Sequence, residues 1–361
     1  MKILIIANVY SQLIIAIQMR RTVFKNDDVS IMVSDISKDA CRYSRNLENE
    51  KVFDSVYYVE ARKYSPEPVS MFKKMTSISR IVSGNKVFRE IYDETWDKLC
   101  FYNTDTATYS LYVSLAKKNP ELECIMFEEG IMSYSTPFSD NMRYRIAEKA
   151  LSLRGIRSLQ NATKTFYCFY PEQYSGKFAA RKIPKIDMSD QGFVNIIRRV
   201  FEVDAEKNNR IYSRKYIYFS GVYDFEGGSP IGELDLIERV SDAVGKDNMV
   251  VKVHPRDITD RFIERGLNVA ESSNVPWEAI QMTSDLEGVT FLTTISGSVL
   301  FTNLITNAPV KSVFLFPLCD LSKNEMASRN VKDIRRIVND GVEGKALPWI
   351  VFCDDIEKIT E

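Results

Sequence analysis

Short, unbroken apolar runs recur along this chain, each followed by a polar loop and a helix-like stretch. Residues 2–7 read KILIIA, the pattern of a strand buried on both faces of a parallel sheet. Residues 30–34, 52–59, 98–102, 122–127 and 163–170 repeat that pattern. Strands alternating with helices imply right-handed βαβ units around one sheet. Ser11 is expected to cap the first helix, whose segment LIIAIQM is apolar nearly all round and therefore buried. Residues 62–90, with Pro66, Pro68 and several basic side chains, break the rhythm and read as a surface excursion.

The alternation stops and then restarts. A charged stretch containing Pro171, Gly176 and Pro184 precedes a helical segment, and residues 204–214 are polar. Strand-like runs resume at 216–219, 250–253, 289–295 and 310–316. This places one α/β domain at 1–190, a linker at 191–214 and a second α/β domain at 215–361. At 361 residues, two domains are the natural expectation. Two such halves suggest Rossmann-like domains facing each other across a cleft, the GT-B arrangement. A fold of this kind does not by itself define a function.

Composition narrows the classes. Lys and Arg number 48 against 49 Asp and Glu, so the strong basic excess of a nucleic-acid binder is missing. Six cysteines form no C-x-x-C pair, and there is one histidine, which disfavours a zinc site. The cysteines read as reduced and the protein as cytoplasmic. No apolar run approaches the ~20 residues of a membrane span. Peripheral contact at the inner membrane face and a homodimer both remain compatible with this composition.

Three strand ends carry candidate chemistry. The run 122–127 ends in Glu128-Glu129-Gly130. Adjacent carboxylates can raise one another's pKa and supply a general base, with glycine allowing a sharp turn. The bland alternative is a solvated acidic turn. The run 250–253 ends at His254, followed by Pro255 and Arg256. Proline ends a strand, and ligands bind at the carboxyl ends of strands in open α/β sheets. Lys252 lies on the same strand face as His254. The run 289–295 ends in Ser296-Gly297-Ser298, opening a helix whose N–H groups and hydroxyls suit a phosphate. An ordinary N-cap is the alternative. No clear Asp-x-Asp metal motif is present.

Taken in order, the acidic pair with glycine, the His-Pro pair and the paired serines resemble bacterial sialyltransferases, specifically glycosyltransferase family 52. Two departures stand out: Gly297 splits the serines, and the acidic pair is Glu-Glu. The resemblance implies an inverting, metal-independent transfer of N-acetylneuraminic acid from CMP-sialic acid to a glycan hydroxyl, with galactose expected. The product would belong to a capsule or lipooligosaccharide, and no cofactor is implied beyond the donor. Glu129 would be the base, with Glu128, Gly130 and Gln12 on the acceptor side. His254, Pro255, Lys252, Arg256, Gly221, Ser296, Gly297 and Ser298 would bind the donor in the second domain. Glu233 competes with Glu129 as the base, as do Asp235 and, more weakly, Asp224. The rivals are a GT-B enzyme using a UDP-sugar and a non-catalytic, two-lobed binding or assembly protein.

Overall fold

A computed structural model describes residues 1–64, 71–84, 88–134, 142–271 and 275–360. Pro66 and Pro68 of the irregular segment, and Val87 beyond them, lie outside the described residues. The chain divides into two units, Met1–Pro184 and Lys185–Glu361.

Among the described residues the first unit holds seven strands. They are β1 (Lys2–Ala7), β2 (Asp28–Ser34), β3 (Ser55–Val59), β4 (Lys98–Phe101), β5 (Glu123–Phe127), β6 (Thr163–Cys168) and β7 (Ala179–Lys182). Their order is β3-β2-β1-β4-β5-β6-β7, and every pairing is parallel. Ile3 to Ala7 are buried, as the unbroken apolar run requires. Burying one such aliphatic side chain is worth about 1.5–3 kcal/mol. Strand β7 escaped the sequence reading because it is an exposed edge strand, AARK, with no apolar run.

The helix Tyr10–Arg21 starts earlier than expected. Its N-cap position is Val9, and Ser11 lies inside the helix without capping it. Tertiary burial from Gln12 to Met19 holds this helix, not a cap. In the irregular segment, the helix Met71–Ser83 packs on the helices Thr106–Lys118 and Met142–Ser152.

The second unit holds β8 (Tyr216–Phe219), β9 (Met249–Lys252), β10 (Thr290–Thr293), β11 (Ser312–Phe314) and β12 (Ile350–Phe352), again all parallel. Their order is β12-β11-β10-β8-β9. Tyr218, Val251, Leu292 and Val313 pack with Ile237 and Val240 of the helix Glu233–Val244 to form its core.

Residues 191–214, read from sequence as a linker, form the helices Gln191–Val200 and Ala205–Tyr212 inside this unit. Phe193, Ile197 and Val200 form a buried stripe, so the abundant charge marks only the outer face. Asp190 and Asp204 cap the two helices.

Both sheets contain a point where the strand order reverses: between β1 and β4 in the first, between β8 and β10 in the second. Crevices at such points, beyond the carboxyl ends of the strands, are where open α/β sheets bind ligands. Among the described residues no helix is long and apolar enough to cross a membrane.

Candidate active site

In the first unit the chain leaves β1 at Asn8, whose backbone N–H donates to Gln12 Oε1 at 2.7 Å. That bond fixes which end of the Gln12 amide is oxygen. The amide nitrogen therefore faces Asn103 Oδ1 at 2.6 Å, beyond β4, and Glu129 Oε2 at 2.9 Å, beyond β5. Gln12 is 0 % exposed, so it is a rigid strut joining three strand ends. Asn8 extends the network, accepting from Ser34 Oγ at 2.7 Å.

The two glutamates of the acidic pair part company. Glu128 is 2 % exposed. Its Oε2 accepts from the Tyr134 hydroxyl and from the Phe169 N–H. Burial pushes its pKa up to about 7, against those two hydrogen bonds. Glu129 is only half-buried, and burial raises its pKa against the opposing Gln12 bond. Mutual repulsion, the cause expected from their adjacency, is not what raises either group. Burial does so, and the separate hydrogen-bond partners of each carboxylate oppose the rise. Glu128 thus serves the interior, and Glu129 is the member of the pair that solvent reaches.

Gly130 does not supply an unusual backbone angle: its φ lies outside the left-handed region. The turn is held by Ser133 Oγ, which accepts from the N–H groups of Glu129 and Gly130 at 3.1 Å each. A Cβ on Gly130 would meet open space.

In the second unit the loops after β8, β9 and β10 are tied together. The His254 N–H donates to Ser220 Oγ at 2.9 Å. Thr293 Oγ1 donates to the Phe219 carbonyl and accepts from the Ser296 N–H, both at 2.9 Å. The Tyr218 hydroxyl donates to Glu233 and pairs with Thr294 Oγ1 at 2.7 Å. Around the imidazole, the Arg256 N–H donates to His254 Nδ1 at 3.1 Å. An Nδ1 that accepts places the proton of a neutral ring on Nε2. Burial, together with the cations Arg256 and Lys252, lowers the His254 pKa, so the neutral ring is favoured.

Ser296 is the N-cap of the helix Gly297–Ile305, and its side chain makes no capping hydrogen bond. Ser296 is half-exposed, while Gly297 and Ser298 are exposed. A Cβ on Gly297 would meet nothing within 4 Å. Neither the fold's angles nor its packing requires glycine there. Pro255 and Arg256 are exposed, and Arg256 pairs with Glu226 at 2.7 Å. Lys252 is half-buried, its ammonium 6.0 Å from the Trp277 ring centre.

The competing carboxylates fall into place. Glu233 is 0 % exposed and accepts from the Tyr218 hydroxyl, the Gly221 N–H and Arg261. Both its oxygens are occupied, so it organises the loops and is closed to an acceptor hydroxyl. Asp224 accepts from the N–H groups of Ile231 and Glu233 and from Arg261. Asp235 is a surface group, 76 % exposed and paired with Arg265. Gly221 is required by packing: a Cβ would lie 2.7 Å from the Tyr223 ring. Sequence reasoning missed Arg261. Its signal was the four-residue spacing from Asp257, which suits an ion pair on a helical turn but is easily lost among 48 Lys and Arg.

Two parallel-sheet α/β units, each with polar side chains gathered beyond its strand ends, define the two-domain fold used by GT-B glycosyltransferases. A putative UDP-N-acetylglucosamine 2-epimerase from Listeria monocytogenes shares that fold, with TM-score 0.50 and 9% identity over 87% of this chain and 78% of the other. The UDP-GlcNAc 2-epimerase of Neisseria meningitidis superposes with TM-score 0.49 at 9% identity, covering 100% of this chain and 98% of its own. For MurG of Acinetobacter baumannii the TM-score is 0.43 at 10% identity, covering 100% and 90%. No curated protein matches the chain. The family model of the alpha-2,8-polysialyltransferases matches residues 2–275. The chain belongs to that family, one of sialyltransferases. Glu129 and His254 lie inside the matched stretch, whereas Ser296 and Ser298 lie beyond it.

The raised pKa of Glu128 has a consequence for stability. A carboxyl titrating near 7 when folded and near 4.5 when free favours folding fully below 4.5, and that contribution is lost as pH rises through 7. The loss amounts to roughly 3 kcal/mol. Because both hydrogen bonds reach Oε2, glutamine can keep them. Glu128→Gln should therefore fold normally and flatten the decline in unfolding free energy between pH 5 and 8, measured by urea titration (about 1–3 kcal/mol per M in slope).

Proposed function

We propose that the chain is an inverting, metal-independent sialyltransferase that uses CMP-sialic acid. The observation that carries this reading is the His254 imidazole, held by the Arg256 N–H so that a neutral ring offers Nε2–H as a donor. The family match supports the sugar transferred. The order of the three motifs, which resembles family 52, supports their roles.

In the reaction the bond from the anomeric carbon to the phosphate oxygen breaks, and CMP leaves with the electron pair. Charge grows on that oxygen, where His254 Nε2–H donates to it. The N–H groups of Gly297 and Ser298, which the Ser296 side chain does not cap, hold the phosphate, as a helix N-terminus suits an anion. Donors fixed before the reaction need no reorganisation when charge develops. The acceptor hydroxyl attacks the anomeric carbon from the opposite face and gives its proton to Glu129. A carboxylate whose pKa is raised by burial is a better base than a free one. Gln12 fixes the angle of that carboxylate.

The family's name specifies an alpha-2,8 linkage, which favours a sialic acid hydroxyl as the acceptor over the galactose expected from sequence. Transfer to a lipid-linked or capsular glycan would place the protein in the cytoplasm near the inner membrane face. Neither step needs a cofactor or a metal. The leaving group carries one phosphate, which a histidine and a helix terminus are sufficient to stabilise.

His254→Ala should lower turnover about 100-fold or more, the usual worth of a positioned proton donor, while circular dichroism remains unchanged. Retention of more than about half the activity would remove His254 from the mechanism. Glu129→Gln should lose turnover comparably while CMP still raises the melting temperature, since binding to the native state alone stabilises it. Activity with a sialylated acceptor should survive EDTA. Loss on chelation with rescue by Mg²⁺ or Mn²⁺ would instead favour a UDP-sugar donor.

A further inference from the structure

A buried cluster of charges lies beside the His-Pro loop. Arg261, 14 % exposed, donates from Nε to Asp257 at 2.7 Å, from Nη1 to Asp224 at 2.9 Å and from Nη2 to Glu233 at 2.9 Å. A longer contact runs from Nη2 to the Gly221 carbonyl at 3.4 Å. Four of its five N–H directions are therefore committed to this chain, leaving little for a substrate. Its three carboxylates also accept from other donors: Thr259 on Asp257, backbone N–H groups on Asp224, and Tyr218 and Gly221 on Glu233. Those bonds allow three anions to share one guanidinium.

A chain of contacts connects this cluster to the imidazole. The Asp257 N–H donates to the His254 carbonyl at 2.9 Å, closing a tight turn. Within that turn the Arg256 N–H reaches His254 Nδ1. At the start of the turn, His254 is tied to Ser220 beyond β8. At its far end, Asp257 is held by Arg261, which is itself held by Asp224 and Glu233. Both ends of the turn are thus fastened to the elements that follow β8.

We propose that Arg261 is the positioning residue for His254: by clamping Asp257 to Asp224 and Glu233, it keeps the turn in the one register where Arg256 N–H locks Nδ1 and leaves Nε2–H to the donor. This rests on the reading of His254 given above. Lysine in its place keeps the charge but offers a point contact instead of a planar fork, so it cannot bridge three carboxylates.

The test uses the single histidine of the chain, whose ring resonances need no assignment. In the wild type, the Nε2–H tautomer should dominate in ¹⁵N spectra, and the ring should titrate below 6.5. The charged groups around it are Arg256, Lys252, Glu226 and Asp257. In Arg261→Lys, the tautomers should mix and the midpoint should move toward 6.5 as the ring gains solvent. Turnover should fall about 10- to 100-fold, the scale of a misplaced catalytic group. Asp257→Asn, which weakens the clamp from its other side, should give the same signature if Arg261→Lys folds poorly. In a His254→Ala background, Arg261→Lys should add little further loss, because the two act as a unit. An unchanged tautomer and midpoint in a folded Arg261→Lys protein, or losses that add in full, would overturn the proposal. Failure of the underlying reading shows separately, as activity retained by His254→Ala alone.

Discussion

Parallel pairing is the constraint on which the rest depends. In a parallel sheet every strand points the same way, so all carboxyl ends lie along one edge. The polar residues that follow β1, β4 and β5 therefore meet, although Gln12, Asn103 and Glu129 are far apart in sequence. The same geometry brings Ser220, His254 and Thr293 together at the carboxyl ends of β8, β9 and β10. In each sheet the reversal of strand order falls among these residues, so the loops diverge there and leave room that a uniform order would close.

Three charged groups then do the organising, each in a different way: Glu128 and Glu233 are buried, and Arg261 is 14 % exposed. Glu128 faces the interior with two donors on one oxygen, and burial drives it toward the protonated form. Glu233 is equally buried but receives Arg261, Tyr218 and a backbone N–H. Arg261 gathers Glu233 with Asp224 and Asp257. Breaking a buried pair of this kind costs more than the pair contributes, because the remaining charge has no solvent. Such clusters specify one loop arrangement. Glu129 and His254, the groups proposed to meet substrate, are half-buried, whereas Glu128 and Glu233 are buried. The division is physical: a base or donor must reach substrate, and the groups that hold it must not move.

Much of the fold was legible because burial on both faces leaves a strong trace. KILIIA and YIYF are strands at the positions where they were expected, and the strand expected at 250–253 lies one residue earlier, at Met249–Lys252. Elements with one buried stripe and a charged outer face were harder to read. The segment of the helix Gln191–Val200 read as helical, but together with the polar stretch of Ala205–Tyr212 it was assigned to a linker, because composition averages over both faces. The edge strand Ala179–Lys182 carries no apolar signal at all.

By itself the sequence determined the α/β class, the two-part organisation and the strand ends at which chemistry could sit, because apolar period and proline punctuation are local properties. It also marked the lone His254 and the acidic pair. Only the tertiary structure decided which carboxylate of each set solvent reaches. Glu128 and Glu129 are neighbours along the chain, yet one meets Tyr134 and the other Gln12. Glu233 stood beside a donor loop in sequence and proved to be enclosed by Tyr218, Gly221 and Arg261. Burial and hydrogen-bond partners come from residues tens of positions away, and no local pattern encodes them.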